Sequence, residues 1–199
     1  MDNWLESFVF TFVPLFIVID ALGSLPFLVS LSEGMTNQER NRTVHIAILT
    51  AVIVGLLFLF FGQFILNVLD IPIGSFAIAG GIILLVLSIK HMTTGRMVET
   101  VKEEMVAVVP IGTPLLAGPA TVTTLLLLVT QFPLYIVLIS FTLNLLIAWI
   151  VFMQSNRIVN FMGQGGLKAV SKVFSLLLAA IAVNMIIQGF NLLGILEIS

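Results

Sequence analysis

The chain has no cysteine. Disulfides, thiolate nucleophiles and cysteine-ligated metals are excluded, and the sequence carries no mark of its redox compartment. Charge is also scarce. Eight basic and ten acidic residues make up 9% of the 199 residues, where a soluble domain carries ~25%. Eight scattered basic residues form no basic face, so nucleic acid is not a partner. The two histidines, His45 and His91, have no spaced partner and make no metal site. A Ser–His–Asp set, paired carboxylates and a phosphate loop are missing too, so the chain does not read as an enzyme and has no nucleotide drive of its own. No cofactor is implied.

What is abundant is apolar. Hydrophobic residues make up 59% and the mean hydropathy is +1.20, which excludes a soluble or a disordered chain. Six stretches approach or exceed the ~20 residues needed to cross the hydrocarbon of a bilayer. They are Phe8–Leu31, Val44–Val68, Ile73–Ile89, Val106–Val129, Leu134–Met153 and Val173–Leu193. Regular alternation over ten-residue segments, the mark of a barrel, does not occur. The expected fold is therefore an all-α polytopic membrane protein with six transmembrane helices. Asp2 and Glu6 flank the first span, with no basic residues and no small-residue cleavage site. The first span is expected to be retained, not removed as a signal.

The basic residues set an orientation. Arg40 and Arg42 lie between spans 1 and 2, and Lys90, Arg96 and Lys102 at or between spans 3 and 4. Arg157, Lys168 and Lys172 lie between spans 5 and 6. With six spans these three connections share one side. The positive-inside rule makes that side cytoplasmic and puts both termini outside. Trp4 and Tyr135 fall at outer span ends, where interfacial aromatics are favoured. Met97, Val101 and Met105 recur every fourth residue and predict a short helix on the membrane surface. Ile158 and Met162 hint at the same, ended by Gly165-Gly166.

Two spans contain helix breakers. Span 1 carries Asp20-Ala21-Leu22-Gly23-Ser24-Leu25-Pro26, and span 4 carries Pro110-Ile111-Gly112-Thr113-Pro114-Leu115-Leu116-Ala117-Gly118-Pro119. Proline removes a helix donor and clashes with the preceding turn, and glycine loosens the backbone. Gly23 and Gly118 each lie ~18–22 Å from their own entry side at 1.5 Å per residue, near the midplane. Three spans per half force the halves into opposite topology. Interrupted spans at matching places in two inverted halves point to the binding site of a secondary transporter. The expected repeats are about 8–92 and 106–194. Ala77, Ala79, Gly80 and Gly81 in span 3, and Ala179, Ala180 and Ala182 in span 6, allow close helix approach.

Asp20 is the one acid deep in a span. A carboxylate at the bilayer centre costs ~2.5–3.5 kcal/mol on insertion scales, so it must face the interior. There it serves either a bound amine or coupling proton, or unwound backbone as a clamp. Ser24, Thr121, Thr123 and Thr124 follow the breaks. They would line the first turns of the second half-helices, where free N–H groups receive a carboxylate, or they bond back to their own helices. Asn184 and Gln188, four apart on span 6, and Asn144 on span 5 are either ligands or interhelical hydrogen-bond formers, with Asn184 the strongest ligand candidate. Gln63 and Asn67 are read as interfacial.

At these residues the sequence resembles the MarC family of small prokaryotic inner-membrane proteins. The resemblance covers roughly residues 8–194. It is carried by Pro14-Leu15-Phe16-Ile17-Val18-Ile19-Asp20-Ala21-Leu22-Gly23-Ser24-Leu25-Pro26 and Glu39-Arg40-Asn41-Arg42, together with Ile78-Ala79-Gly80-Gly81-Ile82 and Pro110 to Thr121. Ala21 stands where the family's first motif has Pro, and Ser24 where it has Asn. The resemblance implies a fold distantly like the lysine-exporter superfamily, a prokaryotic cytoplasmic membrane and, for some members, transport of glycine or alanine. The combined expectation is a secondary transporter of small neutral amino acids working by alternating access, coupled to H+ or Na+. Its zwitterionic substrate would meet Asp20, Gly23, Ser24, Gly118, Thr121, Thr124 and Asn184. The alternative is a channel or a non-transporting membrane scaffold.

Overall fold

A computed structural model describes residues 4–25, 28–29, 32, 34–94, 116 and 118–195. The expected surface helix at Met97, Val101 and Met105, Pro26, and residues 110–115 and 117 of the second motif lie outside them. Among the described residues the regular structure is all helical. It comprises α1 (Trp4–Ile19), α2 (Asn37–Val68), α3 (Ile73–Thr94), α4 (Pro119–Gln131), α5 (Leu134–Met153) and α6 (Ser155–Leu192). Four apolar helical segments, in α2, α3, α5 and α6, are long enough to cross a membrane. The two shorter apolar helices are α1 and α4, those of the spans with breakers.

Local chemistry sets the helix ends. α2 starts seven residues before the expected Val44, because Thr36 and Glu39 form a reciprocal capping box. The Thr36 N–H and hydroxyl hold the Glu39 carboxyl below its usual range. α2 ends in a Schellman motif: Asp70 takes φ 53, its N–H reaches the Asn67 carbonyl, and the Ile71 N–H reaches Leu66. α6 ends the same way at Gly194, with Ile195 N–H on the Phe190 carbonyl. Inside α6 the chain breaks at Gly163 (φ 65, ψ 171) and then stays helical through Gly165-Gly166. The break thus sits two residues before the expected one, where a positive φ demands glycine.

Three apolar clusters fill the interior. The largest joins Leu15, Ile19, Ala21 and Leu25 with Leu116, Val137, Phe141 and residues of α2. The second joins Val18 of α1 with Ala77, Ala120, Ala182 and Met185. α4 is buried at every residue from Ala120 to Leu128 and forms the centre of the bundle. α3 and α6 make the closest seam. A Cβ on Gly74 would lie 2.7 Å from the Gly189 carbonyl oxygen, and one on Gly81 2.7 Å from that of Ala182. The pairs 74 with 189 and 81 with 182 make these helices antiparallel.

α1 is stapled to α5 by polar groups. The Thr11 and Ser140 hydroxyls lie 2.7 Å apart, and Asn144 Nδ2 donates to the Phe12 carbonyl at 3.1 Å. Asn144 therefore takes the interhelical role. A ladder of Trp4, Phe8, Phe12 and Phe16 stacks along α1 at i, i+4 spacing and ends on Phe174 of α6.

Candidate functional site

The first break is centred on Asp20. Its N–H still bonds to Phe16, closing α1, and its carbonyl already accepts from Ser24 N–H, opening the next helical turn. Between these two roles the residue takes φ 47, a region where Asp is better tolerated than most residues. Oδ1 accepts from the Gly23 N–H at 3.0 Å, the bond by which an N-cap satisfies an orphan donor. Helical bonds then continue from Leu28 to Ser24 and from Ser32 to Leu28. A sharp break therefore forms without proline at position 21.

Asp20 is 1% exposed. Oδ2 makes no hydrogen bond with a described residue. A Cβ on Gly23 would run into the Asp20 carboxylate, so glycine there lets the carboxylate fold over the turn. Ser24 is fully buried and its Oγ donates to the Asp20 carbonyl at 2.7 Å. Ser171 of α6 donates to the Gly23 carbonyl at 3.4 Å. This contact joins two distant segments, and nothing in the local sequence around Ser171 announces it.

In the second motif the described helix begins at Gly118-Pro119. Gly118 is the N-cap of α4 with extended backbone (φ −67, ψ 173), and Pro119 takes the first turn, where its missing N–H costs nothing. Thr121 Oγ1 donates back to the Leu116 carbonyl at 2.9 Å. Thr121, Thr123 and Thr124 are all buried. Thr124 Oγ1 points to Met185 Sδ at 3.9 Å, and Thr123 packs where a Cβ on Gly80 would stand.

The seven expected site residues fall into two neighbourhoods. Asp20, Gly23 and Ser24 form the break after α1, and Gly118 and Thr121 stand at the start of α4. Shared apolar clusters hold the two motifs in one core: Ala21 with Leu116, and Val18 with Ala120. Thr124 and Asn184 instead line one cavity with Gln131 and Gln188. Asp20, Gly23 and Ser24 are not among its lining residues. Gln131 carried no sequence signal beyond its place at a span end, whereas Gln188 shares a helix face with Asn184. Gln63 and Asn67 are exposed, as expected of interfacial residues. His45 is exposed at the start of α2 and meets the Trp149 ring edge-on.

A family model described as MarC family integral membrane protein matches residues 5–193. The UPF0056 membrane protein MJ1677 of Methanocaldococcus jannaschii is 27% identical over 94% of this chain and 97% of its own length. The UPF0056 membrane protein MJ0972 of the same organism is 31% identical over 93% of this chain and 87% of its own. The UPF0056 inner membrane protein YhgN of Escherichia coli is 31% identical over 90% of this chain and 94% of its own. No solved structure matches the chain.

Proposed function

The chain belongs to the MarC family of integral membrane proteins, and from that premise we propose that it is a secondary transporter of a small neutral solute, of the glycine and alanine class. The observation that carries the reading is the helix break at Asp20, together with the start of a short buried helix at Gly118-Pro119 inside the span expected to carry the second break, in a chain whose other apolar helices are long enough to cross the membrane. Unwound backbone at membrane depth is tolerated where it is buried in protein or lines a cavity. Matched breaks in two halves are the usual frame of a midplane binding site.

The packing supports two inverted three-helix repeats, residues 8–92 and 106–194. Exchange span 1 with 4, 2 with 5 and 3 with 6. The contact of α1 with α5 then becomes that of α4 with α2, and α3 with α4 becomes α6 with α1. The contacts of α2 with α5 and of α3 with α6 map onto themselves. In this reading the half-helix N–H groups after each break hold the carboxylate of a zwitterion. Asp20 Oδ2 and exposed carbonyls hold its ammonium or a coupling H+ or Na+. The basic loops face the cytoplasm, both termini face outward, and the protein performs no chemistry on its solute.

Uptake of labelled glycine and alanine into proteoliposomes, with and without a pH or sodium gradient, tests this. Saturable, competitive flux that one gradient drives is the expected result. Flux that never saturates indicates a channel, and no flux for any small neutral amino acid indicates a scaffold; either overturns the reading.

A further inference from the structure

The cavity between α1, α4 and α6 has a volume of about 220 Å³, below the ~300–1,000 Å³ of sites for drug-sized ligands. Asn184 and Gln188 of α6 and Gln131 and Thr124 of α4 supply its polar lining. Phe10 and Pro14 of α1 close it from the third side. Pro14 has no N–H, so the Phe10 carbonyl loses its helical donor and is left to other partners. Asn184 stands two turns and Gln188 one turn before the end of α6, so the cavity reaches ~12 Å inward at 1.5 Å per residue.

The character of this lining is specific. Among the described residues it contains three carboxamides and a hydroxyl but no ionisable side chain. A carboxamide offers both two N–H donors and a carbonyl acceptor. It can meet a carboxylate with one end and an ammonium with the other, without burying a net charge. A row of carboxamides facing lipid tails would be left with its donors and acceptors unpaired, which hydrocarbon penalises. The polar row is therefore explained by water and a polar solute, not by hydrocarbon.

We infer that this cavity is a water-filled vestibule, at the membrane side where α4 and α6 end, which selects small solutes of no net charge through Asn184, Gln188 and Gln131 before they reach the breaks. The inference rests on the transport reading for its purpose. It names a second recognition point, apart from Asp20, and the reason the solute is neutral.

The absence of cysteine allows a direct test, since any introduced thiol is unique. Asn184→Cys and Gln188→Cys face the vestibule, whereas Val183→Cys lies beside them on an exposed apolar face of α6. The exposed Asn67→Cys, at the end of α2, is the water-exposed control that the reagent must label. Iodoacetamide, a small uncharged polar reagent that reacts with hydrated thiolate, should label positions 67, 184 and 188 and spare 183. Excess glycine or L-alanine should slow labelling at 184 and 188 alone. Asn184→Leu and Gln188→Leu should each raise the half-saturating alanine concentration about tenfold, the worth of one hydrogen bond.

Failure to label 184 and 188, as when a second copy or lipid covers them, overturns the vestibule. So does equal labelling of 183, or labelling that neither amino acid slows. Flux judges the other reading separately: protection without flux would keep this site and defeat transport.

Discussion

At the scale of single residues, Asp20 divides its two oxygens between two jobs. Oδ1 caps the turn through Gly23 N–H, and Oδ2 has no partner among the described residues. Asp20→Asn separates the jobs, because an amide keeps the shape and the capping oxygen but fixes the charge at zero. Expression and thermal stability should change little. Gradient-driven accumulation, or the pH dependence of flux, should be lost; an unchanged pH profile from mildly acidic to mildly alkaline conditions would leave Asp20 only its cap. Gly118 poses a different question. Its backbone is extended, a conformation that β-branched residues favour, so Gly118→Val adds bulk without backbone strain. Overpacking of ~1–3 kcal/mol predicts about a fivefold or greater loss of alanine affinity in a protein that still inserts. Normal uptake by that variant would place the solute path elsewhere than the second break.

At the scale of elements, the seam of α3 and α6 depends on small residues meeting backbone. The same substitution should therefore have opposite signs at two glycines. Gly81→Ala puts its Cβ 2.7 Å from the Ala182 carbonyl oxygen, which forces the helices apart and should destabilise by ~1–3 kcal/mol. Gly165→Ala, in a helical stretch with nothing within 4 Å of the new Cβ, should stabilise by up to ~1 kcal/mol through helix propensity. Thermal unfolding in detergent compares the two, and a matching sign would contradict the seam. The capping box of α2 adds a pH effect. Thr36 lowers the Glu39 pKa, so its contribution is complete above the ordinary Glu range near 4.3 and is lost as pH falls through the lowered value. The stability gap between the protein and Glu39→Ala should shrink on acidification. A gap that widened would reverse that sign.

At the scale of the whole molecule, the short links fix how the spans follow one another. α2 turns into α3 through Leu69–Pro72, and α4 into α5 through Phe132-Pro133. Links this short reverse the chain within a few residues, so on the proposed six-span reading both lie on the side opposite the basic loops. A reporter active only outside the cytoplasm should be active when fused after Gly194 and inactive after Gln154. The reverse pattern would invert the orientation and the charge bias that motivates it.

Length and local chemistry made much of this protein readable from residue order. Leu134–Met153 is one helix from end to end, α2 closes at Val68, and α3 opens at Ile73, because apolar length, proline and turn residues act over a few positions. Gly118-Pro119 marks the start of α4 for the same reason. The first break lies within the motif that holds the breakers, but its pivot is Asp20, held at φ 47 by a cap bond and by burial. Small residues in spans 3 and 6 announced a close approach without saying to which neighbour. That α3 and α6 choose each other, that Ser171 reaches Gly23, and that Thr124, Gln131, Asn184 and Gln188 share one cavity follows from contacts between residues distant along the chain. Those contacts exist only once the helices are packed, because a side chain's partner across a bundle depends on rotation and register that no local pattern specifies.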